Sequence, residues 1–276
     1  MSRHEGRFDL HMHTTWSDGT DAVADVVAQV VERKLAGFSI TDHDTVASQD
    51  EARSLAGDFG LDYITGMELS VMEGDYDIHI LAYGFDPTAG ELLESLERFR
   101  LARVTRAEGM AEKLRDLGCT LNIDAILAAS GPGAVGRPHL ARALVQAGFA
   151  ATVREAFDRY LAFGRPAYLP KTKITPADGI ALAHKAGGVA VLAHPAVYPF
   201  EVPLDLLLAA GLDGLETSYP SWDNQTTAYW RGLAKRHRLL ETGGSDYHGS
   251  HRPGVGVGAA TISAEMFDRV LTAVRS

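Results

Sequence analysis

From Phe8 onward the apolar positions of the chain switch between a two-residue rhythm and a helical one. In "RFDLHMH" (7–13) Phe8, Leu10 and Met12 alternate with polar residues, which predicts a strand with His11 and His13 on one face. Val23, Val26, Val27, Val30 and Val31 then recur at helical spacing within residues 20–36, and "GFSITDHD" (37–44) returns to the strand pattern. A second helix is predicted over 45–60, ended by Gly60. "LDYITGMELSV" (61–71) and "YDIHILAYGFD" (76–86) read as two further strands, with the "MEGD" turn joining them as a hairpin. This alternation predicts an α/β fold with a largely parallel sheet wrapped by helices.

Past Asp86 the pattern becomes helical and charged, from "AGELLESLERFRLARVTRAEGMAEKLRDLG" through "NIDAILAAS", "RPHLARALVQAG" and "TVREAFDRYLA". No comparable strand signal returns until "GGVAVLAHP", so residues 89–172 are expected to form a helical insertion that covers the active site and selects substrate. The α/β rhythm then resumes through "PADGIALAHKAG", "GVAVLAHP", "PLDLLLAAG", "LDGLETSY", "NQTTAYWRGLAKRHR" and "LLETGGSD". Residues 1–88 and 173–276 are therefore expected to make one discontinuous barrel domain, with fewer strands than a complete (β/α)₈ barrel.

Composition narrows the class. A chain of 276 residues with 46% hydrophobic residues can bury a large core, and it has no apolar run long enough to span a membrane. The N-terminus "MSRHEGRFDL" lacks the apolar stretch of a signal peptide, so a cytoplasmic protein without a membrane partner is expected. Cys119 is the single cysteine, which excludes a disulfide framework and a thiolate-rich zinc site and suits a core residue. The formal charge of −10 argues against long-duplex nucleic acid as a partner, although bound cations would reverse the sign locally.

Histidines and acids fall repeatedly at the carboxyl ends of the predicted strands: His11 and His13, then Asp42, His43 and Asp44, then Glu68, His194, Asp246 and His248. Asp18 follows the first strand on a turn, and His79 lies inside a strand between apolar neighbours. In α/β barrels that end of the sheet carries the chemistry. Any one of these residues also fits a bland role, as a hydrogen-bonded strand histidine or a solvated acid. Together, imidazole nitrogen and carboxylate oxygen suit manganese, iron or zinc better than magnesium. A bridging carboxylate such as Glu68 could hold two ions roughly 3.5 to 4 Å apart and activate a hydroxide between them, which predicts hydrolysis.

"DLHMHTTWSDG", "ITDHDT", "GMELS", "DIHILAYG", "LAHP" and "GGSDYHG" together resemble the successive motifs of the polymerase and histidinol phosphatase (PHP) family. The resemblance implies a distorted (β/α)₇ barrel binding two or three divalent ions, manganese first among them. It implies that His11, His13, Glu68 and Asp246 hold one ion, that Glu68 bridges to a second held by His79 and His194, and that Asp18, His43 and His248 hold the third. Asp18 stands where some members have a histidine. Asp42 is expected to orient a ligand imidazole.

Within the insertion, Arg137 and Arg165 each precede a proline, which favours a loop, and a guanidinium can grip a phosphate with two parallel hydrogen bonds. His139 is expected to touch the phosphate or donate a proton, Glu68 and Asp246 to serve the reaction directly, and Lys171 and Lys173 to be solvated. Trp222, Tyr219 and Tyr247 are read as core residues, and His4, His184 and His237 as structural or exposed. The two arginine segments resemble the branch containing nucleoside 3′,5′-bisphosphate phosphatases and 5′-to-3′ exoribonucleases. That implies a phosphorylated nucleotide or short RNA as substrate. A histidinol-phosphate phosphatase and a non-catalytic metal-binding module of a larger complex are the rival readings.

Overall fold

The computed structural model describes residues 6–74, 76–130, 135–170 and 174–274; Lys171, Lys173 and His4 lie outside them. The first sheet has the order β3-β2-β1-β9, formed by Asp62–Tyr63 (β3), Gly37–Phe38 (β2), Arg7–Asp9 (β1) and Ile262–Ser263 (β9). The second has the order β4-β5-β6-β7-β8, from Gly66–Glu73 (β4), Tyr76–Tyr83 (β5), Val189–Leu192 (β6), Gly214–Ser218 (β7) and Leu240–Gly243 (β8). β4 and β5 form the expected hairpin, pairing antiparallel from Gly66↔Tyr83 to Glu73↔Tyr76. Among the strands, parallel pairing is confined to β1-β2-β3 and β6-β7-β8, because the hairpin inverts the chain direction and β5 meets β6 antiparallel.

The expectation of a distorted (β/α)₇ barrel is met as an α/β fold, but the two sheets do not close into a barrel. At the seams they touch through isolated bridges, Met12↔Tyr247 and His43↔Glu68. The physical reason lies in the segments that cross the seams. Residues 10–13 bond alternately to both sides, with Asp246 N donating to His11 O at 2.7 Å and Thr41 N to Met12 O at 2.8 Å. Asp44 and Asp246, each next to one of these bridges, adopt left-handed φ values of 50° and 51°, which a regular ladder excludes. Both seams therefore sit where the candidate ligands gather.

Alternation does what the sequence predicts for the first strand. Leu10 and Met12 are fully buried in apolar clusters, while His11 and His13 face the other way. Leu10 joins Phe8, Leu81, Tyr83 and Val191 between the sheets, closed below by Phe267 and Val270 of the last helix. Outside the sheets pack Val23–Glu32 (α1), whose Val23, Val26, Val27 and Val30 are buried, and Gln49–Phe59 (α2). Within residues 90–161 the described secondary structure is all helical: Gly90–Asp116 (α3), Ile123–Ala129 (α4), Arg137–Gln146 (α5) and Val153–Ala156 (α6), continued by a π-helical turn over Phe157–Leu161. These helices carry a hydrophobic cluster of their own, including Met110, Leu114, Leu140, Leu144 and Leu161, with Cys119 buried in it.

Pro176–Lys185 (α7), Leu204–Ala209 (α8) and Asn224–His237 (α9) follow the predicted segments. β9 and the helix Ala264–Val274 (α10) have no counterpart in the sequence reading. β9 pairs antiparallel with β1, and α10 places Phe267 in a stacked contact with Phe8 at 4.2 Å. No described helix is long and apolar enough to cross a membrane.

Candidate metal centre and active site

The site assembles around Glu68, which β4 holds buried in its middle. Its Oε2 lies 3.1 Å from His11 Nε2, 3.0 Å from His13 Nε2 and 3.5 Å from His43 Nδ1. Its Oε1 lies 2.8 Å from His79 Nδ1 and 3.0 Å from His194 Nε2. Asp246 Oδ1 approaches His11 Nε2 and His13 Nε2 at 3.4 Å each and His248 Nδ1 at 3.5 Å. Asp18 Oδ1 stands 3.3 Å from His248 Nε2, and its Oδ2 stands 3.9 Å from His43 Nε2. Every residue singled out as a ligand in the sequence thus converges on one region.

Three groupings place their donor atoms within 4.8 Å of one another: His11, His13, Glu68 and Asp246; His43, Glu68 and His79; and His13, Asp18, His43 and His248. The first matches the family pattern. The other two differ from it: His43 joins Glu68 and His79 where the pattern has His194, which contacts Glu68 but falls in none of the three groups, and His13 belongs to two of them.

This donor set fits divalent ions. Burial strips solvent from imidazoles and carboxylates alike, a costly arrangement unless charge of the opposite sign sits among them. His13 Nε2 and His43 Nδ1 are buried and face Glu68 oxygens without an aligned hydrogen bond. The metal-free electrostatics show the same frustration. Burial pushes His43 down to about 4, whereas His13, despite its burial, is raised to about 10 by Asp246, Glu68 and Asp18. Burial works to raise Glu68 and Asp18, yet the surrounding histidines hold both carboxyls well below their ordinary range. Protons occupy the role that cations would fill.

Several supporting residues escaped the sequence reading. Glu216 of β7 is fully buried; its Oε1 pairs with His11 Nδ1 at 3.1 Å and its Oε2 accepts from His194 N at 2.7 Å. Tyr219, read as a core residue, is buried but donates to Asp246 Oδ2 at 2.7 Å, and Arg252 Nη1 donates to the same oxygen at 2.6 Å. Asp9 accepts from Ser245 N at 2.9 Å and Gly258 N at 2.7 Å, tying three chain segments beneath His11; burial pushes its carboxyl up to about 6. Asp42 does not orient an imidazole by hydrogen bond. It accepts from Thr14 N at 2.8 Å, Thr14 Oγ1 at 2.7 Å and Ser17 Oγ at 2.6 Å, and so fixes the turn that presents Asp18.

Glu216 offers a test of this supporting shell. Glu216→Ala is expected to weaken metal binding by about tenfold to a hundredfold, since it frees the imidazole of His11 and the main chain that carries His194. Calorimetric metal titration checks it, and unchanged affinity would remove Glu216 from the account.

The candidate substrate contacts separate. His139, at the start of α5, has Nδ1 accepting from Gly136 N at 3.2 Å, and burial and Arg142 push it down to about 4. Near neutral pH it is an uncharged imidazole with Nε2 as donor, suited to hydrogen-bond a ligand rather than to supply an imidazolium proton. It lines a cavity of about 510 Å³ with Asp18, Asn122, Arg142, Gln146 and His251. His251, which the family pattern does not require, touches Asp18 O at 2.7 Å and Arg142 Nη1 at 3.3 Å. Arg137 lies apart from that cavity, with Nη2 3.7 Å from Asp77 Oδ2. Arg165 is exposed on the turn preceding Tyr168. Tyr247 is buried against α1, as expected, and donates to Asp21 Oδ2 at 2.5 Å.

An α/β scaffold that gathers imidazoles and carboxylates in this way defines a metal-dependent phosphoesterase. Residues 9–168 match the PHP domain, and the chain belongs to that family. It is 32% identical over 256 residues to the 3′,5′-nucleoside bisphosphate phosphatase of Chromobacterium violaceum, covering 91% of this chain and 90% of that one. It is 33% identical over 248 residues to the 5′-3′ exoribonuclease Rnm of Escherichia coli, covering 87% and 85%. A solved structure assigned as a metal-dependent phosphoesterase of Bifidobacterium adolescentis superposes with a TM-score of 0.86 at 33% identity, covering 96% of each chain.

Proposed function

We propose that this phosphoesterase hydrolyses a phosphate ester of a nucleotide, either a nucleoside 3′,5′-bisphosphate or the 5′ end of a short RNA. The observation that carries the reading is the shared carboxylate: Glu68 contacts His11, His13 and His43 through one oxygen and His79 and His194 through the other. Such a carboxylate can bridge two ions, and the further group at Asp18, His43 and His248 can take a third. We assign His11, His13, Asp18, His43, Glu68, His79, His194, Asp246 and His248 as ligands, and manganese as the first candidate ion.

When bound, the ions would polarise a phosphoryl oxygen and lower the pKa of water enough to supply hydroxide near neutral pH. The chain's own residues do the rest. Glu216 and Asp9 hold His11 in place, Tyr219 and Arg252 hold one oxygen of Asp246, and Asp42 sets the turn bearing Asp18. Asp246, its Oδ2 already engaged, has Oδ1 at the ligand side, where it can accept a proton from attacking water. The 510 Å³ cavity beside Asp18 has the size and the mixed apolar and amide lining of a nucleoside pocket, with His139 and Arg142 at its polar edge. We further propose that residues 89–172 act as a separate helical unit that selects the substrate, and that Arg137 and Arg165 belong to its phosphate-contacting surface.

The reading is tested by assaying the manganese-loaded protein side by side on adenosine 3′,5′-bisphosphate, a 5′-phosphorylated RNA dinucleotide and histidinol phosphate. Turnover of one or both nucleotides well above histidinol phosphate is expected. The reverse order would assign the site to a different alcohol, and turnover of none would leave a binding module.

A further inference from the structure

The 510 Å³ cavity is walled by two helices of the insertion. Along α5 and its cap it meets His139, Arg142, Ala143, Gln146 and Ala147, which recur at three and four residues and so form one helix face. That face runs about 12 Å along the axis. Ala125 and Ala129 stand one turn apart on α4 and line the same space. The groove between the two helices therefore has the length and depth for a nucleoside, not merely for a phosphate.

Its charge is gathered at the metal cluster. Among the described residues, the ionisable groups that line the cavity are Asp18, His139, Arg142 and His251. His251 Nδ1 lies 2.7 Å from Asp18 O and 3.3 Å from Arg142 Nη1, which ties this group to the edge of the cluster. Arg142 is half-buried, and no carboxylate pairs with it among the described residues. A cation in that position gains from an anion brought by a ligand. The rest of the lining is neutral, with apolar side chains such as Leu121 and Ile126 and the amides of Asn122 and Gln146.

This distribution restricts what the cavity can hold. Its ligand carries negative charge at one end only, where the ligand meets Asp18 and Arg142. The nucleoside of a 3′,5′-bisphosphate breaks that condition, because with one phosphate at the cluster the other would lie unpaired against alanines and neutral amides. A nucleoside joined to the chain of substrate through the reacting phosphate alone satisfies it. Its base and sugar are uncharged, and they find an apolar wall with a few polar groups. In a substrate that already carries a 5′-phosphorylated nucleotide, such a nucleoside is the second alcohol of a phosphodiester.

We propose that the groove between α4 and α5 binds the second nucleoside of a phosphodiester substrate, joined through the reacting phosphate to a 5′-terminal nucleotide that lies outside the groove. The inference rests on the reading of the metal cluster as the place of phosphate ester hydrolysis. Arg142 meets the phosphate end of this nucleoside, and Ala125, Ala143 and Ala147 leave the room its rings occupy. The groove thereby sets how much the chain gains from a nucleoside on the far side of the phosphate.

The test uses the metal-loaded protein and two diesters that differ in the alcohol meant for the groove. One is a 5′-phosphorylated adenosine dinucleotide, and the other is adenosine 3′,5′-bisphosphate with a methyl ester on its 3′-phosphate. The wild-type kcat/KM for the dinucleotide is expected to exceed that for the methyl ester by roughly tenfold to a hundredfold. Ala125→Trp and Ala147→Trp, one on each helix, fill the groove and should each draw that ratio toward one. Both alanines are exposed, so the exchange leaves the core intact. Equal wild-type values would overturn the proposal without the need for any variant, and so would a ratio that both tryptophans leave unchanged; hydrolysis itself would stand in either case. If the loaded wild type turns over neither diester, calorimetry with the same two compounds decides. Tighter binding of the dinucleotide by the same factor keeps the groove as a nucleoside site while the hydrolytic reading falls, and equal affinities overturn the proposal as well.

Discussion

Glu68→Gln is expected to reduce phosphate release by more than about a thousandfold, beyond the tenfold to hundredfold loss typical of a residue that only orients a ligand. The size of the effect follows from where the side chain sits. One carboxylate meets His11, His13 and His43 at one oxygen and His79 and His194 at the other, within 2.8–3.5 Å. Replacing it with an amide removes the charge shared by two groupings and puts a donor where the proposed cations would sit. Metal content should fall with activity, by at least one ion per chain. The fold should survive, because Leu69 and Met67, on the opposite face of β4, keep their apolar contacts. A variant that keeps both its ions and its turnover would remove Glu68 from the centre of the site.

The second large effect is a pH dependence of stability that appears only when the metals are stripped. In the metal-free protein His13 is raised from 6.5 to about 10, and His11 is also raised well above its ordinary value. A histidine whose folded pKa lies above its unfolded one stabilises the fold fully below pH 6.5 and loses that contribution as the pH climbs toward 10. Glu68, Asp18 and Asp246 are held below their ordinary values, so their contribution is present above about pH 4.5 and is lost in acid below it. His43 and His139, pushed down to about 4, add stability as the pH rises to 6.5 and together outweigh Asp9, raised to about 6, so the stripped protein should be most stable near pH 6.5 and lose stability steadily from there to 10. Bound ions replace the protons on the imidazoles, so the loaded protein should lack the alkaline decline and should release protons on loading. Thermal unfolding across pH, with and without metal, shows both. Identical profiles for the two forms would mean that protons and ions do not compete for these nitrogens.

What the sequence made legible followed from strand periodicity. His11 and His13 alternate with Leu10 and Met12, and that alternation alone places the pair on one face and at a strand end. Glu216 obeys the same rule, standing between the buried Leu215 and Thr217 in "GLETS", and the signal was there: an acid within an apolar strand of the second half. It passed unnoticed because a single acid on a strand equally fits a solvent-facing position. His43 shows where periodicity stops. Its spacing locates it at a strand end, but only the seam between the sheets places its two ring nitrogens toward different carboxylates, Glu68 and Asp18. Arg142 reads as an ordinary charged position on a helix, and nothing local shows that α5 lies beside Asp18.

The chain's expected barrel and its observed pair of sheets differ for a related reason. Apolar alternation reports which residues turn inward, and it did so for β1, β4 and β5. Closure depends on backbone pairing across the seams, and there Asp44 and Asp246 leave the extended conformation, Asp246 to face the cluster and Asp44 to accept from Ser70 N. The left-handed geometry of an aspartate leaves little trace in the hydrophobic pattern. α10 was missed because "SAEMFDRVLTAV" follows a glycine-rich stretch and its apolar stripe has meaning only once β1 and Phe8 are beneath it.

The cluster around Glu68 is expected to hold the ions on which phosphate release depends. The most direct measurement is phosphate release from adenosine 3′,5′-bisphosphate by protein stripped with a chelator, then titrated with manganese while bound metal is counted. Activity should be absent in the stripped protein and rise as at least two ions per chain bind. Undiminished release from protein shown to be free of metal would contradict the account.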